Sequence, residues 1–285
     1  MIYDLTAKIC DLTVKREDIE YAMVASKDYN IIHRDENAVR NFLEIIGAKI
    51  EKGVITQGAL LFSKIGGLIN NIKSMIGDIG TPLVVYDERK IQARISENKE
   101  EGAYNVLLTK KEDFAEQGIE GIERYILKAD IKTKKEDIGR AISSLEARMN
   151  ENAKEIKNGK EISINDEIKI NEENFEAYLK SIGKARGDDV DYNFFIANFI
   201  PQLLLKYSNE MITNKKEGYY FFKKQDLIFN EESRYAIDAP FRIFGKIKSK
   251  LLKNTELCFS ELAIMSSDGK ALIYSKNTTG KMIRV

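Results

Sequence analysis

Two apolar stretches, residues 58–69 and 194–205, each about twelve residues long, constrain this chain of 285 residues more than any other feature. Each is interrupted by a polar residue or a proline and falls short of the roughly 20 residues that cross a bilayer, so both read as helices buried within a folded core. The segment after each stretch is extended in texture. After Gly80-Thr81-Pro82 come strand-like runs at 83–86, 90–95, 104–108 and 125–131. After the second stretch come runs at 219–222, 227–229, 241–247, 256–265 and 271–275, with Ser266-Ser267-Asp268-Gly269 as a hairpin turn between the last two. Each half also starts alike. A weakly alternating strand at 5–15 leads into a helix over 17–24 with acidic residues in its first turn, and Ile168-Lys169-Ile170 leads into Glu173-Asn174-Phe175-Glu176. Ile138, Ala141, Ile142, Leu145 and Met149 recur at helical spacing, and polar residues continue to Lys160. The pattern predicts an α+β protein of two units, 1–145 and 161–285, joined by a linker over 146–160. Asn198 to Leu205 then lines up with Gly53 to Leu60, and Pro201 is tolerated in a first helical turn, where its missing N–H costs nothing.

The only histidine in the chain, His33, lies in the first unit, five positions after Asp28 and three after Asn30. Imidazole titrates near neutrality and is the most accessible general acid/base in protein chemistry. A tight loop or single turn would bring Asp28 and His33 into one pocket, with Asn30 hydrogen-bonding its own backbone to hold the loop. A lone histidine is also compatible with a surface position or a satisfied core position. Asp35 reads as the cap of a short helix running through Phe42 and Ile46. Gly53 reads as the residue that precedes the buried helix, taken to start near it.

The stretch Ser26-Lys27-Asp28-Tyr29-Asn30-Ile31-Ile32-His33-Arg34-Asp35 resembles the hydratase-2 motif of the MaoC-like (R)-specific enoyl-thioester hydratases and dehydratases, which runs approximately Ser-Gly-Asp-x-Asn-Pro-aliphatic-His-x-Asp. Ser26, Asp28, Asn30, Ile32, His33 and Asp35 match in register. Lys27 stands where the family usually has glycine, Ile31 where it has proline, and Lys52 where it has the histidine of a His-Gly pair. The motif covers about residues 24–60, and the two-unit plan extends the likeness to the whole chain.

The resemblance implies a tandem (double) hotdog fold, each unit a curved antiparallel sheet wrapped around a long central helix. It implies reversible hydration of trans-2-enoyl thioesters, or dehydration of (R)-3-hydroxyacyl thioesters, within fatty acid metabolism. Asp28 and His33 are then the acid–base pair. The thioester oxygen is held by backbone N–H at Gly53, with Val54, Asn30 and Ser26 as further substrate or loop contacts. A helix N-terminus favours developing negative charge, and a glycine there lets substrate approach the backbone. The acyl carrier is coenzyme A or acyl carrier protein, so CoA or phosphopantetheine enters only as part of the substrate and no separate cofactor is expected. In the second unit Ala185-Arg186-Gly187-Asp188 echoes 25–28, yet no histidine comes after it. That unit is expected to be a degenerate structural partner, leaving one site per chain and a monomer or a homodimer of such chains. Two rival readings stay open: a hotdog thioesterase, disfavoured because no acid lies between Gly53 and Ile76, and a non-catalytic acyl-thioester binding protein.

Forty-five basic and 45 acidic residues cancel, which argues against a nucleic-acid partner. Cys10 and Cys258 lack metal-ligand or redox spacing and sit in apolar contexts, and no secretory pattern opens the chain, so free thiols in the cytoplasm are expected. One histidine and two distant cysteines do not make a transition-metal site, and the phosphate-binding and nucleophile-elbow motifs are absent. Phe221, Phe222, Phe229, Phe241 and Phe244 read as core packing for the second sheet.

Overall fold

The computed structural model describes residues 7–98, 100–110, 125–134, 137–150, 161–188, 192–211, 218–230, 240–252 and 255–283. The ten residues 151–160 of the expected linker, and the first residues of the first expected strand, lie outside this set.

Strand β1 (Lys8–Lys15) leads into α1 (Arg16–Ser26), a 3-10 turn at Ile31–His33, and α2 (Glu36–Ile45). A short strand β2 (Val54–Ile55) precedes the buried helix α3 (Gly58–Gly66), and β3 (Ser74–Ile79), β4 (Val84–Val85), β5 (Glu88–Asn98), β6 (Ala103–Lys110) and β7 (Leu127–Lys132) come next. After α4 (Ile138–Asn150) the plan repeats with β8 (Glu161–Lys169), α5 (Glu172–Ile182), α6 (Tyr192–Ala197) and α7 (Ile200–Met211). It closes with β9 (Gly218–Phe229), β10 (Pro240–Leu252), β11 (Thr255–Met265) and β12 (Ala271–Ile283). Among the described residues no helix is long and apolar enough to cross a membrane.

Ten strands form one antiparallel sheet in the order β1-β5-β6-β7-β3-β9-β12-β11-β10-β8. From the central β3–β9 junction outward, the first half runs β3, β7, β6, β5, β1 and the second runs β9, β12, β11, β10, β8. The two halves are therefore one strand plan used twice and joined edge to edge, with Ser74 opposite Ile228 and Asp78 opposite Lys224. Joining the edges removes two exposed rows of backbone donors and acceptors that would otherwise invite non-native pairing. β3 itself was not anticipated; it carries Gly77 and leaves Ile76 42% exposed, so its local pattern is weak and its pairing with the other half defines it.

The first helices of the two halves, α1 and α5, pack on one another, and Asn174 Nδ2 donates to Val24 O at 3.0 Å between them. Each is capped by local polar groups. Lys15 N donates to Asp18 Oδ2 at 3.1 Å, and Asn171 Oδ1 accepts from Asn174 N at 3.0 Å. Asp18 also pairs with Lys64 Nζ at 3.0 Å, which ties α1 to the buried helix α3.

α3 is shorter and starts later than its apolar run indicates. Val54 and Ile55 are extended because they pair with Val85 and Val84, and the helix opens only at Gly58. Leu60, Leu61, Phe62 and Ile65 are all buried there, so the helix presents apolar surface in most directions. A second correction concerns α4. The boundary drawn at 145/146 falls inside this helix, and Ile138, Ile142 and Leu145 pack on Phe244, Ala263 and Tyr274 of the second sheet. By its contacts α4 belongs to the second half.

Candidate active site

The site is built where α1 ends. Lys27 adopts the left-handed conformation (φ 55°, ψ 43°), and Asp28 N donates to Met23 O at 2.8 Å, so the chain leaves the helix in a tight reversal. Asp28 then turns back on the chain: its Oδ1 accepts from Asn30 N at 2.8 Å. The loop expected to be held by Asn30 is thus held by Asp28. Asn30 instead reaches the other half, its Nδ2 donating to Tyr220 O on β9 at 3.2 Å. One 3-10 turn, with His33 N donating to Asn30 O at 3.1 Å, delivers His33 to the same pocket. Asp35 caps α2 as expected, its Oδ1 accepting from Asn37 N at 2.8 Å and Ala38 N at 3.0 Å.

Asp28 Oδ2 and His33 Nε2 face each other across 3.6 Å, with the residues 5% and 9% exposed. That separation is too long for a hydrogen bond, so both groups are free to address a third atom set between or beside them. His33 Nδ1 lies 2.7 Å from Ile55 O. A carbonyl only accepts, so Nδ1 carries a hydrogen and Nε2 is the nitrogen left to exchange a proton towards Asp28. The imidazole is therefore oriented by the backbone of β2.

Both residues line a cavity of about 250 Å³. Phe42, Leu60, Leu61 and Leu83 form part of its apolar wall from the first half, and Leu205, Phe221 and Phe222 contribute from the second. Two of the aromatic residues expected to be core packing are thus cavity wall. Tyr220 also lines it. Burial, reinforced by Cys258 and Glu256, pushes its phenol up to about 12, so it stays protonated at any working pH. Ser26 lines the cavity while its Oγ donates to Ala22 O at 2.7 Å.

Gly53 and Val54 are not in the cavity lining. Gly53 has φ +130°, and a Cβ there would lie 2.3 Å from Val85 O, so the chain requires glycine for close approach to β4. Val54 is fully buried in the β2–β4 pair. Lys52 is exposed, its Nζ donating to Tyr86 Oη at 3.1 Å. The position at the mouth of the helix belongs to Gln57-Gly58, five residues later. Gly58 is the first residue of α3 and lines the cavity, and the N–H groups of a first helical turn have no intrahelical acceptor. Thr56 and Gln57 line it too, each 5% exposed, and Thr56 Oγ1 and Gln57 Oε1 are buried without a hydrogen-bond partner. Such groups cost about 1–3 kcal/mol apiece when left unpaired. The available signal was a second glycine, Gly58, directly before the densest part of the apolar run.

No protein-family model matches the sequence, and no curated protein matches it. Solved structures do. A protein described as a MaoC-like dehydratase superposes with a TM-score of 0.56 at 11% identity, covering 96% of each chain. A conserved hypothetical protein of Mycobacterium tuberculosis described as having a double hotdog fold gives 0.54 at 8% identity, over 99% of this chain and 97% of that one. The dehydratase domain of PpsC from the same organism, solved with C12:1-CoA, gives 0.50 at 7% identity, over 99% and 97%. The chain has the double hotdog fold, the fold of the MaoC-like dehydratases.

Proposed function

We propose that this protein is a hydratase–dehydratase of acyl thioesters, adding water to a trans-2-enoyl thioester or removing it from an (R)-3-hydroxyacyl thioester. The observation that carries this reading is the buried pair Asp28 Oδ2 and His33 Nε2, 3.6 Å apart beside the first turn of α3. Hydration needs one group to take a proton from water and another to give one to the carbon alpha to the carbonyl. A pair that holds one proton between its two members can do both. One member accepts as the other donates, so the pair ends the step with as many protons as it began. The thioester oxygen, which gains negative charge on the way, lies at the N-terminus of α3 against the N–H of Gly58. Gly53, assigned that part from the motif alone, sits too far back in the chain. The apolar wall takes the acyl chain. The dehydratase neighbour solved with C12:1-CoA supports the thioester class, with CoA or a phosphopantetheine arm as the carrier and no further cofactor. Only one such pair exists per chain, because the sequence has one histidine.

The test is hydration of crotonyl-CoA monitored at the enoyl-thioester absorbance. Asp28→Asn and His33→Ala are each expected to lower the rate by about 10²–10⁴-fold with folding intact. Wild-type protein that releases free thiol instead would be a thioesterase. Wild-type protein that binds acyl thioesters and transforms none of them, over several chain lengths and on a carrier protein, would be a binding subunit.

A further inference from the structure

The cavity lined by Asp28 and His33 is small, about 250 Å³. Sites for drug-sized ligands run from roughly 300 to 1,000 Å³, so size alone restricts what can react here. An apolar cavity of about 150 Å³ takes benzene, which allows roughly 25 Å³ for each non-hydrogen atom. At that allowance 250 Å³ takes about ten such atoms. The reacting head of the substrate, C1 to C3 with the thioester and C3 oxygens, must reach the acid–base pair and uses about half of them, leaving about five for the chain beyond C3. The carrier, whose arm alone exceeds the cavity, stays outside. Side chains from both halves already crowd the start of α3. A Cβ at Gly58 would lie 2.2 Å from Ile79 Cδ1 and 3.8 Å from Phe222 Cδ1. Ile79 on β3 and Phe222 on β9, neighbouring strands of the sheet, are half-buried and line the cavity.

We infer that this protein acts on short- to medium-chain acyl thioesters, with acyl groups of up to about eight carbons, and that the cavity volume, bounded in part by Ile79, sets the limit. Ile79 is then a specificity-determining residue. The inference rests on the hydratase–dehydratase reading and deepens it.

The experiment measures binding of butyryl-, hexanoyl-, octanoyl-, decanoyl- and dodecanoyl-CoA by calorimetry. These saturated thioesters have no double bond to hydrate, so the series reads the fit of the chain in the wild-type protein. Each methylene that enters the cavity is expected to tighten binding by up to about fourfold. The gain is expected to run as far as octanoyl-CoA and to fall to about twofold or less per added pair of carbons beyond it. Ile79→Ala removes three carbons from the wall and is expected to carry the gain on to decanoyl-CoA; the wild-type series carries the test if this variant does not fold. An unbroken gain to dodecanoyl-CoA, no gain between butyryl- and octanoyl-CoA, or a limit unmoved by Ile79→Ala would overturn the inference. Hydration of crotonyl-, 2-octenoyl- and 2-dodecenoyl-CoA is measured alongside. Equal hydration of 2-octenoyl- and 2-dodecenoyl-CoA removes the limit and leaves the activity; a binding limit near octanoyl-CoA in a protein that hydrates none of the three removes the activity and leaves the limit.

Discussion

The two halves of this molecule share a strand plan and differ in what they bring to the cavity. Each has an edge strand leading into a helix that ends in a left-handed residue, Lys27 in the first half and Gly183 (φ 73°) in the second. The next residue donates its backbone N–H back into the last turn in both: Asp28 to Met23 O at 2.8 Å, Lys184 to Leu179 O at 2.9 Å. Asp28 of the first half thus corresponds in place to an exposed lysine, and the apparent echo at 185–188 lies one turn too late. The buried helices diverge further. α3 opens Thr56-Gln57-Gly58-Ala59, whereas α7 opens Asn198-Phe199-Ile200-Pro201. Ile200 is fully buried where Gly58 lines the cavity, and Pro201 has no N–H to offer. Asn198 stands level with Thr56, not with Gly53, and its Nδ2 donates to Ser63 Oγ on α3 at 3.2 Å. The start of α7 still reaches the cavity through Asn198, Pro201 and Gln202, but with no glycine there, and the second half adds Tyr220, Phe221, Phe222 and Leu205 to the wall. The second half has no histidine and keeps its share of the wall.

If that division is correct, substitutions at matched positions separate stability from catalysis. The largest effect is expected at Ile200→Ala, which empties a fully buried site and costs about 2–5 kcal/mol in denaturant unfolding, with kcat of the folded fraction unchanged. A large fall in kcat at preserved stability would show that α7 takes part in chemistry. Gly58→Ala is expected to do the reverse. A Cβ there would come within 2.2 Å of Ile79 Cδ1, the far end of a flexible side chain that must swing aside within the cavity. A fall in kcat/KM of about 10- to 100-fold, or roughly 1.4–2.7 kcal/mol in the barrier, should accompany a small loss of stability. Unchanged hydration by Gly58→Ala would take the thioester oxygen away from this helix end.

The parts of this arrangement that could be read from sequence are those that local chemistry specifies. Asp35 is a helix cap wherever it stands before a helical run, and Ser266-Ser267-Asp268-Gly269 makes its turn with Gly269 at φ 83° and Ser266 N donating to Lys270 O at 2.9 Å. Asp28 and His33 share a pocket because five residues span one reversal. What escaped detection depends on partners distant in sequence. β2 is extended only because β4 is beside it, so the apolar run 54–69 looked like one helix and its start was placed at Gly53. β3 is a strand chiefly because β9 and β7 flank it. Tyr220 reaches the site across 190 residues, through a backbone carbonyl that any residue type could have provided.

The seam between the halves gives a smaller, pH-dependent effect. Tyr125 Oη donates to Asp78 Oδ2 at 2.5 Å, and Lys223 Nζ on β9 pairs with Asp78 Oδ1 at 3.0 Å. Burial works against the Asp78 carboxylate, but hydrogen bonds from Tyr125 and Lys223 win and hold it below its ordinary value of 3.8; the same bond pushes Tyr125 up to about 12. A depressed folded value means that this contribution is present above the ordinary carboxylate range and is lost as pH falls through the lowered value. With the Asp78 side chain 37% exposed, screening keeps it under about 1 kcal/mol. Asp78→Asn should therefore be slightly less stable than wild type at neutral pH, and the difference should shrink in acid. A gap that widens on acidification would mean that Asp78 is not the group titrating at the seam.

The smallest effect concerns the residue where this chain departs from the glycine usual in the motif it resembles. Lys27 holds φ 55° although it has a Cβ, at a cost of roughly 1–2 kcal/mol for a non-glycine residue. Glycine relieves that strain but loses more freedom on folding, about 0.5–1 kcal/mol. Lys27→Gly, which installs what the second half already has at Gly183, should therefore stabilise by a few tenths to about 1 kcal/mol. The reciprocal Gly183→Lys should destabilise by a similar amount, since a Cβ at Gly183 meets no atom within 4 Å and only the backbone conformation opposes it. Hydration should be unaltered in Lys27→Gly, because Asp28 is aimed by the left-handed turn and by its bond from Asn30 N, both of which glycine preserves. A lower unfolding midpoint for Lys27→Gly would show instead that the bond from Lys27 Nζ to Lys169 O, 3.3 Å long and spanning the two halves, outweighs the strain. The lysine would then be retained as a tie between the units.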